Sequence, residues 1–203
     1  ERGKDPVQIQ RALLEQGKNS PTGEIKYDVD RMIWVIKTAA DKSNWDKDPA
    51  VKQGCSVYYS HRTYVAQVAD IVQEGGTPVL KKITAATDCG IVVNPTGANH
   101  QVRGGIVDGM GHAMYGNLTF KDGLPTQKNF DTYKLIRMKE VPEVDVHYVD
   151  SGFDPTGLGE PALPPTGGAI ANAIFAATGR RLRSQPFNEQ EEFSDLNLVI
   201  KRA

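Results

Sequence analysis

The chain has 203 residues, with 24 basic and 25 acidic side chains and a formal charge of −1. That length suits one domain or two small ones with a sizeable core. The balanced charge, with no basic stripe interleaved with aromatics, argues against nucleic acid as a partner, and no apolar run is long enough to span a bilayer. From the amino end, residues 7–16 and 28–43 carry helical patterns, the second with Met32, Ile33, Ile36, Ala39 and Ala40 on one face and Asp28 or Asp30 as its cap. Between them Gly17 to Gly23 is a loop.

From Cys55 to Thr87 the pattern turns to strands. Residues 55–59, 64–72 and 79–87 are rich in Val, Ile, Thr and Tyr, and Glu74-Gly75-Gly76-Thr77-Pro78 joins the last two as a hairpin. Asn94-Pro95-Thr96-Gly97 ends the sheet and opens a helix-like stripe of Val102, Ile106, Met110 and Met114. Gly104, Gly105, Gly109 and Gly111 lie inside that stripe, and each costs about 1 kcal/mol relative to alanine in a helix. Such glycines signal close approach of another backbone or of a ligand, and the pattern alone leaves both open. Lys121-Asp122-Gly123 reads as a second hairpin turn, and Val144, Val146 and Tyr148 alternate with polar residues in a strand over 143–149. Helices and strands are partly segregated, which gives an α+β fold with a mixed or antiparallel sheet and packed helices.

The segment Gly157-Leu158-Gly159-Glu160-Pro161 carries the chemistry. Gly159 is free to take positive φ and lets a group approach closely, while Pro161 biases Glu160 to extended backbone. Pro164 to Gly168 forms a stiff approach to a helix starting near Thr166, apolar nearly all round and therefore buried. Gly179 stops that helix, with Arg180 and Arg181 placed to answer its last carbonyls. Glu160 is thus expected at the edge of the core, with a raised pKa suited to taking a proton near neutrality.

Other residue types offer less. Cys55 and Cys89 are too far apart for a CxxC knuckle and too few for an iron–sulfur cluster, which leaves buried, small-hydrophobe roles. His61, His100, His112 and His147 lack ligand spacing, so any metal would be held mostly by something other than this chain's side chains. The charge runs at 47–52 and 189–195 read as solvated surface.

Asp88-Cys89-Gly90 through Asn94-Pro95, Gln101 to Gly105 and Gly157 to Pro161, in that order, together resemble the C-terminal part of a molybdenum hydroxylase large subunit, of the xanthine dehydrogenase and aldehyde oxidase superfamily. Tyr64 to Ala69, Asn129-Phe130-Asp131, Leu135 to Met138 and Ala171 to Gly179 tilt the likeness toward the branch that holds the β-subunit of isoquinoline 1-oxidoreductase.

The resemblance implies a C-terminal portion of a molybdopterin-binding domain over residues 28–203, preceded by an N-terminal helix and loop at 1–27. It implies that Glu160 is the base toward a molybdenum-bound hydroxide, in an enzyme oxidising N-heterocycles or aldehydes with water as oxygen source. Gln101, Gly104, Gly105, Leu158 and Gly159 would border a molybdenum–pterin cofactor, in the molybdopterin cytosine dinucleotide form. Electrons would leave through a small iron–sulfur subunit of the 2Fe-2S type. Because such a large subunit is several times longer than this chain, an upstream half carrying the other cofactor loops is also implied, and this chain alone is expected to be inactive. Arg103 stands where the family commonly has an acidic residue. The competing reading is a non-catalytic module that keeps the fold for subunit association. A Rossmann-type site fits poorly, because Gly109-Met110-Gly111 lies inside a helical stripe instead of directly after a strand.

Overall fold

The computed structural model describes residues 3–194 and 198–200. Helices α1 (Pro6–Asn19) and α2 (Val29–Lys42) open the chain. Asp28 caps α2 by accepting from the Asp30 and Arg31 amides at 2.9 and 3.2 Å, which settles the choice between the two aspartates. Three antiparallel strands follow, β1 (Lys52–Ser60), β2 (Thr63–Glu74) and β3 (Thr77–Asp88). After helix α3 (Pro95–Tyr115) comes a small hairpin, β4 (Phe120–Lys121) and β5 (Leu124–Pro125), and then strand β6 (Glu143–Tyr148). Helix α4 (Pro164–Thr178), the short α5 (Glu191–Ser194) and β7 (Val199–Ile200) complete it.

The main sheet has the order β1-β2-β3-β6, and both β6 and β7 run parallel to β3. It is therefore mixed, as expected. Strand alternation sends Val65, Ala69, Ile83 and Ala85 to one face, where they meet α3 and α4. Ala66, Val68 and Ala86 point to the other, under α1 and α2. Covered on both sides, β2 is buried along most of its length. Helix α4 comes so close to β1 that a Cβ on Gly54 would stand 2.0 Å from the Ala173 nitrogen. The turns obey hairpin stereochemistry, with φ of +58° and +84° at Gly75 and Gly76 and +52° and +78° at Asp122 and Gly123.

Three details correct the sequence reading. Helix α4 begins at Pro164, because prolines at the first helical positions sacrifice no internal hydrogen bond and are already set at helical φ. Gly179 ends it with φ +75° and its amide on the Phe175 carbonyl at 2.8 Å, but Arg181 lies over the Phe175 ring and reaches Asn172, away from the helix carbonyls. Strand β7 has no counterpart in the sequence pattern. Cys55 and Cys89 are both free and buried, and burial pushes the Cys55 thiol up to about 12. Lys47 and Lys52 are exposed, and Glu189 accepts from the Asn117 amide at 2.8 Å. Asp195, at the end of the second charge run, lies outside the described residues.

Candidate cofactor and active site

Residues 150–163 cross the end of the sheet where β1 turns into β2 and β3 ends. The platform beneath them is a buried ion pair. Asp88, at the end of β3, accepts from Arg31 Nε at 2.8 Å and Nη2 at 2.7 Å, and also from Ser151 Oγ and the Gly90 amide. Burial alone would raise the Asp88 carboxyl, but hydrogen bonds from Arg31, Ser151 and the Gly90 amide outweigh it and hold the group below the usual carboxylate range. The Arg31 guanidinium is sandwiched between the Tyr64 and Phe153 rings at 4.6 and 4.5 Å. Gly90 is left-handed with φ +70°, and a Cβ there would lie 2.2 Å from the Asp154 carbonyl, so glycine alone lets the loop settle.

Above this platform the loop is fastened at successive points along its length. The Thr156 amide donates to the Cys89 carbonyl at 2.9 Å and the Gly157 amide to the His61 carbonyl at 3.2 Å. Thr63 Oγ1, at the start of β2, holds the Gly157 carbonyl at 2.7 Å. Gln101 Nε2, from α3, holds the Gly159 carbonyl at 2.8 Å. The Leu163 amide closes a turn onto the Glu160 carbonyl at 2.9 Å. Gln67 Nε2, fully buried in β2, takes the Ala162 carbonyl at 2.6 Å.

Gly152 takes a left-handed φ of +69°, but the two glycines flanking Leu158 do not. Neither Gly157 nor Gly159 adopts positive φ, contrary to the expectation for Gly159. A Cβ on Gly157 would stand 2.8 Å from the His61 Cβ, whereas Gly159 faces open space. Along α3 the division is similar. Gly104 is open, while a Cβ on Gly105 would be 3.2 Å from Ala162 Cβ and one on Gly109 would be 2.5 Å from the Leu163 carbonyl. Gly105 thus faces the turn of α4, not the open side where Gly104 lies. Close approach of another backbone therefore accounts for Gly105 and Gly109, while Gly104 has no neighbour that requires a glycine.

Glu160 is exposed, with nothing among the described residues folded over it. This corrects the expectation of a site at the edge of the core: Pro161 and Ala162 turn inward to the sheet and leave Glu160 on the outer side. Beside Glu160, a shallow pocket of about 360 Å³ is lined by Cys89, Ile91, Val93, Gly97, Gln101 and Leu158. Gln101 and Gly104 are neighbours on one helix face, one turn apart.

This rim suits a large organic group. Gly104 and Gly159, on either side of Gln101, offer bare backbone, with nothing within 4 Å of the point where a Cβ would stand. Among the described residues the Gln101 side chain bonds the Gly159 carbonyl through one N–H, and no three His, Cys, Asp or Glu side chains gather as a metal site. The sequence reading missed Thr63, Gln67 and Thr166 as supports. A signal existed for Gln67, since it shares the inward phase of Val65 and Ala69 on an otherwise apolar strand face, where a buried amide must be hydrogen-bonded.

The fold is thus a mixed sheet between two helical layers, with the exposed Glu160 carboxylate and the open backbone of Gly104 and Gly159 at one end. Residues 11–142 match the molybdopterin cofactor-binding domain family. The chain belongs to that family, within the xanthine dehydrogenase and aldehyde oxidase superfamily of oxidoreductases. It is 34% identical over 90% of its length to the membrane-bound aldehyde dehydrogenase (pyrroloquinoline-quinone) of Gluconacetobacter polyoxogenes, of which it covers 25%. It is 31% identical over 79% of its length to a subunit of the nicotinate dehydrogenase of Pseudomonas putida, of which it covers 15%. For the β-subunit of the isoquinoline 1-oxidoreductase of Brevundimonas diminuta the identity is 29%, over 90% of this chain and 23% of that protein. The chain therefore spans a quarter or less of these relatives. Among solved structures, the aldehyde oxidoreductase of Desulfovibrio gigas superposes with a TM-score of 0.52 and 27% identity, over 66% of this chain and 15% of that one.

Proposed function

We propose that this chain forms one wall of the active site of a molybdenum–pterin oxidoreductase that hydroxylates aldehydes or N-heterocycles with water as the oxygen source. The observation that carries the reading is the Gln101–Gly159 hydrogen bond, which draws the start of α3 to the Glu160 turn across 58 residues of sequence. Gln101, Gly104, Leu158 and Gly159 would hold the cofactor, with Gly105 setting the spacing of α3 against the turn. When bound, the cofactor supplies the centre that accepts two electrons. Glu160 takes the proton from the water-derived oxygen as that oxygen bonds to the substrate carbon. For an aldehyde the balance is one water consumed, one carboxylic acid formed, and two protons and two electrons released.

Because Glu160 is exposed in this chain, the base works only when a further part of the protein covers the rim and excludes water. We assign that cover to an upstream half of a longer subunit, with electrons passing to an iron–sulfur subunit of the 2Fe-2S type. The cofactor is read as the cytosine dinucleotide form.

The test is made on the holoenzyme. Molybdenum and a pterin dinucleotide should be recovered by elemental analysis and mass spectrometry, and heavy-oxygen water should label the product. Glu160→Gln should keep the metal while turnover falls about 10²–10⁴-fold, the usual contribution of a general base. Recovery of a quinone cofactor without molybdenum would overturn the cofactor assignment. Glu160→Gln turnover within about threefold of wild type, below 1 kcal/mol in barrier, would remove Glu160 from the mechanism.

A further inference from the structure

We infer that Gln67 and Thr166 are positioning residues that hold the Glu160 turn in its working place, an inference that rests on the role proposed for Glu160. Gln67 is fully buried on β2, and its amide is used at both ends. Its Nε2 donates to the Ala162 carbonyl at 2.6 Å, and its Oε1 accepts from Thr166 Oγ1 at 2.8 Å. Thr166, also fully buried, lies 3.1 Å from the same Ala162 carbonyl. A closed triangle of sheet, turn and helix results, with Ala162 two residues from Glu160. Since the turn is shut by the Leu163 amide on the Glu160 carbonyl at 2.9 Å, fixing Ala162 fixes the backbone from which the carboxylate projects.

The surroundings support a dedicated role. Gly109 of α3 lies where any side chain would strike the Leu163 carbonyl at 2.5 Å and Thr166 Oγ1 at 2.9 Å, so α3 is shaped around this triangle. A buried amide amid Val65, Ala69 and Ile170 is costly unless fully bonded, and a leucine would fill the same space without that demand. The polar group therefore does something packing alone would not, which is to fix the turn in one register. Gln101 cannot substitute for it, because it is exposed and grips the loop at Gly159, three residues before Ala162.

The test uses Thr166→Val, which removes the hydroxyl at nearly constant volume, Thr166→Ser, which restores it, and Gln67→Leu. Hydrogen exchange of the amides at residues 160–166 should accelerate at least tenfold in Thr166→Val and Gln67→Leu, and return to the wild-type rate in Thr166→Ser. In the holoenzyme, kcat per bound molybdenum should fall about 10- to 100-fold at unchanged KM, as for a group displaced by about 1 Å. The same Thr166→Val change placed on Glu160→Gln should cost nothing further. Unchanged exchange, or unchanged kcat per molybdenum in Thr166→Val while Glu160→Gln is inactive, would overturn the positioning role and leave the function standing. An active Glu160→Gln would overturn the function, and the exchange rates would then decide the triangle's hold on the turn by themselves.

Discussion

Gly104 and Gly109 lie on the same helix and call for opposite outcomes when each is replaced by alanine. Alanine is favoured over glycine in a helix interior by about 1 kcal/mol. At Gly104 the added methyl meets nothing within 4 Å, so Gly104→Ala should gain that stability almost in full. At Gly109 the methyl would stand 2.5 Å from the Leu163 carbonyl and 2.9 Å from Thr166 Cβ, and a carbonyl of the main chain cannot rotate aside as a side chain can. Overpacking of this kind costs about 1–3 kcal/mol, here toward the upper value, which leaves Gly109→Ala a net loss of about 1–2 kcal/mol. The two variants should therefore differ by about 2–3 kcal/mol, or on the order of 5–10 °C in thermal midpoint for a domain of this size.

Thermal and urea unfolding of the two proteins side by side measures this directly. Equal stabilisation by both alanines would refute the packing of α3 against the Ala162–Thr166 turn. The pair also probes the cofactor rim. Gly104→Ala, although more stable, should retain less molybdenum in the holoenzyme, because the bare backbone it fills is where the ligand is proposed to approach. Full retention would move the cofactor away from Gly104.

Other consequences are reached by titration. Burial pushes Asp70 up to about 6, against the hydrogen bond from Gln53 and the charge of Lys82. A carboxyl whose folded pKa exceeds its unfolded value binds more protons when folded, so stability should fall as pH rises from about 4 to about 6 and level off above. Asp70→Asn, which can still accept from Gln53, should flatten that slope and raise stability at neutral pH by on the order of 2 kcal/mol; an unchanged slope in urea unfolding would refute it. Asp88 behaves in the opposite sense. Its folded pKa is lowered, so the contribution is present above about pH 4 and is lost as pH falls through the folded value. Asp88→Asn should cost about 3–5 kcal/mol at neutral pH by leaving Arg31 buried without its partner, and a loss below 1 kcal/mol would show that the platform does not depend on this pair.

The elements that sequence reveals best here are those whose pattern is local. The Val-, Ile-, Thr- and Tyr-rich runs of β2 and β3, the Gly75-Gly76 and Asp122-Gly123 turns and the Met32–Ile36–Ala39 face of α2 each follow from a few neighbouring residues. What is not legible depends on distant partners. The apolar helix that follows Glu160 points to a place near the core, yet whether a residue just before a helix faces in or out is decided by which turn residues the sheet accepts. Pro161 and Ala162 are the ones taken in. Likewise Gly159 reads as a torsional hinge, but Gln101 and the Leu163 amide fix the loop on both sides of it with ordinary torsions.

The tethers of the Glu160 loop come from separate stretches of chain: Thr63 and Gln67 from β2, Gln101 from α3, Thr166 from α4. They grip three carbonyls, Thr63 at Gly157, Gln101 at Gly159, and Gln67 together with Thr166 at Ala162, so losing one grip loosens its own point while the others hold. The sheet and its two helical layers are stabilised independently of these contacts, through the apolar clusters on either face. It follows that stability and placement of the carboxylate are separable in this fold. Substitutions under the helices, as at Gly54 against Ala173, should unfold the chain and carry the site with it, whereas those in the tethers should leave a folded protein whose carboxylate is displaced.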